Sequence, residues 1–111
     1  QNSTFDKEHG QLVIHTNSGD IVFMQETGQQ FSAWDCSLII VRYLEELASK
    51  NSIKGVKVLE LGCGVGLPGI SASLFGADSV ILTDLQEGVE SASQTIQLNP
   101  KCNNVVARVL R

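Results

Sequence analysis

The segment Val56-Lys57-Val58-Leu59-Glu60-Leu61-Gly62-Cys63-Gly64-Val65-Gly66-Leu67-Pro68-Gly69 constrains this chain more than any other. An apolar run of strand character stops at a stack of glycines, and a helical pattern follows at once. A second apolar run, Val80-Ile81-Leu82-Thr83, ends in Asp84. An α/β sheet presents a nucleoside site in this way. Glycines let the backbone come close to the ligand, and a carboxylate at the next strand end accepts hydrogen bonds from ribose hydroxyls.

The flanking pattern supports a parallel sheet. Residues 1–10 are polar and read as loose. Leu12-Val13-Ile14-His15-Thr16 and Ile21-Val22-Phe23-Met24 read as two strands around a turn in which Gly19 supplies a positive φ. From Ser32 the spacing turns helical through Trp34, Leu38, Val41, Leu44 and Ala48, with Ser32-Ala33-Trp34-Asp35 as a start resembling a capping box and an end near Lys50-Asn51. Pro68 suits the first turn of a helix whose apolar side is Ile70, Leu74 and Phe75, and Gly76 suits its cap. A helix over residues 87–98 and an apolar run over residues 105–110 follow. Strands alternating with helices imply right-handed β-α-β units.

With 111 residues there is room for one modest core. The formal charge of −4, with no cationic run, argues against a nucleic-acid backbone as partner. No apolar stretch approaches the ~20 residues of a membrane span and none follows a basic leader, so no membrane partner is expected. Cys36, Cys63 and Cys102 lack metal-ligand spacing. They read as reduced thiols of a cytoplasmic, or also nuclear, protein without a metal. The chain opens at Gln1 rather than Met and stops at Arg111 after an apolar run, so both ends are expected to be cut.

Two ligands compete for the glycine loop, beside the bland reading of a tight turn that binds nothing. A dinucleotide would rest its pyrophosphate on the helix N-terminus. S-adenosylmethionine carries no phosphate and wants negative charge near its ammonium and sulfonium. Glu60 would repel a pyrophosphate and attract a cationic amino-acid tail. It could instead be a structural hydrogen-bond partner for the loop. Asp84 could likewise be the N-cap of the next helix rather than a ribose acceptor.

Taken together these residues resemble the seven-strand S-adenosylmethionine-dependent methyltransferases, and among them the methyltransferase-like 21 family, which methylates lysines of non-histone proteins. Ala33-Trp34-Asp35-Cys36-Ser37-Leu38 is similar to that family's Trp-Asp-Ala-Ala helix start. Residues 58–70 are similar to its glycine motif, and Val80-Ile81-Leu82-Thr83-Asp84-Leu85 with Val106-Ala107-Arg108-Val109-Leu110 to its next two strands. The resemblance implies that Gly62, Gly64 and Gly66 line the methionine part of the cofactor, and that Asp84 holds the ribose with Leu85 against the adenine. It places Trp34 over the pocket, although Trp34 also falls in register with Leu38 and Val41 as a core anchor. His9 and His15 read as structural or exposed. The implied fold is a Rossmann-like parallel sheet truncated after its third strand. Residues 1–31 form an N-terminal extension with a β-hairpin, and residues 32–111 the N-terminal half of the methyltransferase domain. The family's Trp-Gly pair after the third strand and its Asp-x-x-Tyr motif after the fourth are absent. An uncovered sheet edge then invites self-association.

The implied reaction is an in-line displacement in which a neutral lysine amine of a protein substrate attacks the methyl on sulfur. Positioning carries most of such chemistry. With a free lysine pKa of ~10.4, only ~0.1% of the amine is neutral at about pH 7.4. No residue in the chain is a convincing acceptor for that proton, so no catalytic residue is named. A non-catalytic truncated fragment and an NAD-binding Rossmann oxidoreductase are the alternative readings.

Overall fold

A computed structural model describes residues 3–6, 8–24 and 31–110, the side chains of residues 31–35 excepted. The elements run β1 (Ser3–Asp6), β2 (Gln11–Thr16), β3 (Gly19–Met24), α1 (Phe31–Ser49), β4 (Lys57–Leu61), α2 (Leu67–Leu74), β5 (Ser79–Asp84), α3 (Gln86–Leu98) and β6 (Val105–Val109). The first three strands form an antiparallel sheet in the order β1-β2-β3. The last three form a parallel sheet in the order β4-β5-β6, with α2 and α3 as the crossovers that parallel neighbours require. This is the expected α/β arrangement of hairpin, helix and β-α-β-α-β.

The N-terminus corrects one expectation. Residues 3–6 are a strand, pairing with β2 from Ser3↔Ile14 to Asp6↔Gln11. Their polarity serves the turn that follows. The Asp6 carboxylate accepts the N–H groups of Glu8 at 3.0 Å and His9 at 3.3 Å, and meets His9 Nδ1 at 2.7 Å, while Gly10 takes φ 65°. The β2–β3 hairpin turns as expected at Asn17-Ser18, with Gly19 at φ 128°. Ile14, Ile21 and Phe23 point inward and are fully buried.

Those three side chains join a single apolar cluster with Val41 of α1, Ile70 of α2 and Leu82 of β5. Helix α1 contributes Leu38, Val41, Leu44 and Ala48, the face its spacing predicted. It grips the hairpin through Arg42, which donates to the His15 carbonyl, and Glu45, which accepts the Asn17 N–H at 2.7 Å. Asn51 ends it at φ 61°. Helices α2 and α3 cover one face of the parallel sheet. On the other face Leu59, Ile81 and Val106 stand side by side in register and are 63%, 36% and 45% exposed. Among the described strands, β4 pairs only with β5 and leaves its outer edge open. No described helix is long and apolar enough to cross a membrane.

Candidate functional site

The glycine loop leaves the carboxyl end of β4. Gly62, Gly64 and Gly66 take φ values of 63°, 55° and 82°, a backbone that side chains resist. Their surroundings divide them. Among the described residues a Cβ on Gly62 or Gly64 would meet nothing within 4 Å, so both present bare backbone away from the packed sheet. A Cβ on Gly66 would lie 2.7 Å from Leu82 Cδ1, so Gly66 serves the packing of α2 on the sheet and not an approach by a ligand.

Two carboxylates bracket this loop. Asp84, the last residue of β5, accepts the Gly64 N–H on Oδ2 at 2.8 Å and the Leu85 N–H on Oδ1 at 2.7 Å. It is therefore not the side-chain cap of α3, which has none; Leu85 occupies that position. A carboxylate offers about four acceptor sites. With two occupied, Asp84 retains the number that a ribose diol needs, at a fixed orientation.

Glu60 lies on the helix-covered face of β4 and accepts the Gly69 N–H on Oε1 at 2.9 Å. The structural role left open by the sequence is thus realised. Burial pushes its pKa up to about 7; the Gly69 N–H works against that rise and the Asp84 charge adds to it. Burial also pushes the neighbouring Cys63 thiol up to about 11, with Glu60 and Asp84 contributing, so Cys63 is no thiolate nucleophile. Among the described residues the site is acidic, with no salt-bridging cation on either carboxylate.

The same bond decides between the two ligands. Pro68 has no N–H, Gly69 gives its N–H to Glu60, and Ile70 gives its own to the Gly66 carbonyl at 2.9 Å. Three of the first four amide positions of α2 are thereby withdrawn from any anion, and a carboxylate stands beside them. A pyrophosphate would find few donors and no favourable charge.

Leu85, 71% exposed, follows Asp84 directly and offers apolar surface beside the site. Trp34 falls within α1, but its side chain lies outside the described residues. His9 and His15 are partly exposed and paired with Asp6 and Asp20. A cavity of about 450 Å³ lies between the hairpin turn, Leu74 and residues 98–102. Its walls precede β5 and β6, so it opens at the opposite end of the parallel sheet from the glycine loop. The sequence reading did not single out Gly69 as the partner of Glu60, nor Gly88. A glycine in the first turn of a helix was the available signal for the latter.

Residues 15–111 match the lysine methyltransferase family profile. EEF1A lysine methyltransferase 3 of Xenopus tropicalis is 41% identical over 71 residues, covering 64% of this chain and 30% of that protein. Protein N-lysine methyltransferase METTL21A of Danio rerio is 38% identical over 66 residues, covering 60% and 29%. The fold also resembles magnesium protoporphyrin IX methyltransferase of Synechocystis PCC 6803, solved with bound SAH. The TM-score is 0.60 at 20% identity, over 78% of this chain and 42% of that one. The chain spans under a third of the length of the two curated relatives.

Proposed function

The chain belongs to the lysine methyltransferase family, and from that premise we propose that its glycine loop holds S-adenosylmethionine for methyl transfer to a lysine of a non-histone protein. The observation that carries this reading is the Asp84 carboxylate. It is fixed by Gly64 and Leu85 beside bare loop backbone, with acceptor capacity left for two ribose hydroxyls. Gly62 and Gly64 would lie along the methionine part and Leu85 against the adenine. Glu60 would face the ammonium end, with Gly66 holding the loop from behind and Trp34 near the methionine. When bound, the cofactor supplies an electrophilic methyl group on a sulfonium. The acidic pair Glu60 and Asp84 favours such a cation over a phosphate-bearing ligand, which speaks against the oxidoreductase alternative.

The test is calorimetric titration with S-adenosylhomocysteine, with NAD as control. Selective binding of S-adenosylhomocysteine is expected. Asp84→Ala should weaken it by about 1.5–3 kcal/mol, the range for hydrogen bonds to a charged group. Affinity for NAD alone, or a folded Asp84→Ala chain that binds as tightly as the wild type, would overturn the reading. Free thiols at Cys36, Cys63 and Cys102 fit residence in a reducing compartment, the cytoplasm or nucleus.

Self-association belongs to the same proposal, with a second copy as the occupant of the open β4 edge. An antiparallel β4–β4 pairing centred on Leu59 sets Leu59 against Leu59, Lys57 against Leu61 and Val58 against Glu60. No like charges meet, and two bare apolar faces become continuous. Sedimentation should find a dimer that Leu59→Lys dissociates. A monomeric wild-type chain would remove it.

A further inference from the structure

Gly88 lies in the first turn of α3, a position at which glycine is a poorer helix former than almost any other residue. Its φ is ordinary, so no backbone requirement explains it. Space does. A Cβ built on Gly88 would overlap the Asp84 carboxylate and stand 2.6 Å from Asp84 Cβ. Asp84 is therefore wedged between the missing side chain of Gly88 on one flank and the Gly64 N–H on the other. Because Asp84 Cβ is itself too close, a terminal rotation of the carboxylate does not relieve the overlap. A change of χ1 does not move Cβ either, so the start of α3 and the end of β5 must part.

We infer that Gly88 is a positioning residue for cofactor binding: the absence of its side chain seats the Asp84 carboxylate against the glycine loop in the orientation that receives a ribose diol. This rests on the proposed S-adenosylmethionine site and adds to it a residue that never touches the ligand. The loop, the end of β5 and the start of α3 all converge on one carboxylate, through Gly64, Leu85 and Gly88 respectively. Any side chain at position 88 unseats that carboxylate and frees the Gly64 amide with it.

The experiment is a double-mutant cycle on the 111-residue chain, read by calorimetric titration with S-adenosylhomocysteine, with the Gly64 amide proton followed by NMR without ligand. Gly88→Ala is expected to weaken binding roughly tenfold, the loss of one hydrogen bond to a charged group. In the Asp84→Gly background, which lacks the Cβ as well as the carboxylate, the same substitution should change affinity less than about twofold, since nothing remains for it to displace. That double variant also removes the overlap, so it should fold at least as stably as Asp84→Gly alone. In the unliganded Gly88→Ala chain the Gly64 amide proton should move upfield as its bond to Asp84 is lost. Wild-type affinity in Gly88→Ala, equal losses in both backgrounds, or an unmoved Gly64 resonance would each overturn the inference. If the wild-type chain bound no S-adenosylhomocysteine, the proposed function would fall and the ribose half of the inference with it. The Gly64 resonance would still decide whether Gly88 seats Asp84.

Discussion

Asn99 pairs with Val22 as a neighbouring strand would. Its Oδ1 accepts the Val22 N–H at 2.9 Å and its Nδ2 donates to the Val22 carbonyl at 2.6 Å. The same Nδ2 reaches the Thr95 carbonyl at 2.7 Å, so one buried amide ties the open edge of β3 to the C-terminal turn of α3. Without it β3 would carry an unpaired backbone pair into a part-buried interface.

Asn99→Ala should therefore lower stability by about 1–3 kcal/mol, the range for stranding buried polar groups. Urea unfolding that gives a lower midpoint at unchanged slope is the expected outcome. A midpoint like the wild type's would mean that the hairpin is held by its apolar contacts alone.

The glycine loop makes a second prediction, because its glycines do different work. A Cβ on Gly69 would overlap Leu82 Cδ2 and approach Glu60 Oε1 and Val80 Cγ1 to 3.0 Å, inside a packed helix–sheet contact. Gly69→Ala should cost about 1–3 kcal/mol of stability, as overpacking does. Gly62→Ala meets no neighbour among the described residues, and the left-handed backbone resists it at about 1–2 kcal/mol. Its methyl points away from the packed sheet instead. Thermal unfolding and S-adenosylhomocysteine titration of both variants should show Gly62→Ala losing proportionately more binding than stability. The opposite order would mean the open face of the loop is not where ligand approaches.

What the sequence made legible was local. Gly19 and Gly76 stand at turn and cap positions where spacing placed them, with φ of 128° and 112°. Asp84 ends β5 as expected, because strand length and the polar stop are both written in consecutive residues. Contacts between distant segments were hidden. Asn99 and Val22 are 77 residues apart, and nothing near either names its partner. β1 was missed for a related reason: its pairing comes from the free edge of β2 and not from apolar alternation of its own. Glu60 and Gly88 fall between these cases. Their types were visible, but whether a carboxylate meets a backbone N–H or an absent side chain makes room for one depends on how α2 and α3 settle on the sheet.

The last prediction concerns pH and follows from Glu60. Its pKa is raised from 4.5 to about 7, so between those values the folded chain holds a proton that the unfolded chain has released. Stability then falls as pH rises from 4.5 to 7 and levels off above, the reverse of a salt-bridged carboxylate. Each pH unit within the window costs at most about 1.4 kcal/mol, and less at a site that solvent partly reaches. The groups facing Glu60 are the Gly69 N–H, Asp84 and Cys63, and the last stays protonated throughout the window. Glu60→Gln keeps an acceptor for Gly69 without the charge. Melting temperatures of the variant should lose this decline and exceed those of the wild type above pH 7. A wild-type slope retained in Glu60→Gln would assign it to another group. Binding of a ligand with an ammonium end should draw Glu60 back to its carboxylate. Titration with S-adenosylhomocysteine near pH 7 in phosphate and in Tris should then give enthalpies that differ by the heat of the released proton, and Glu60→Gln should abolish the difference.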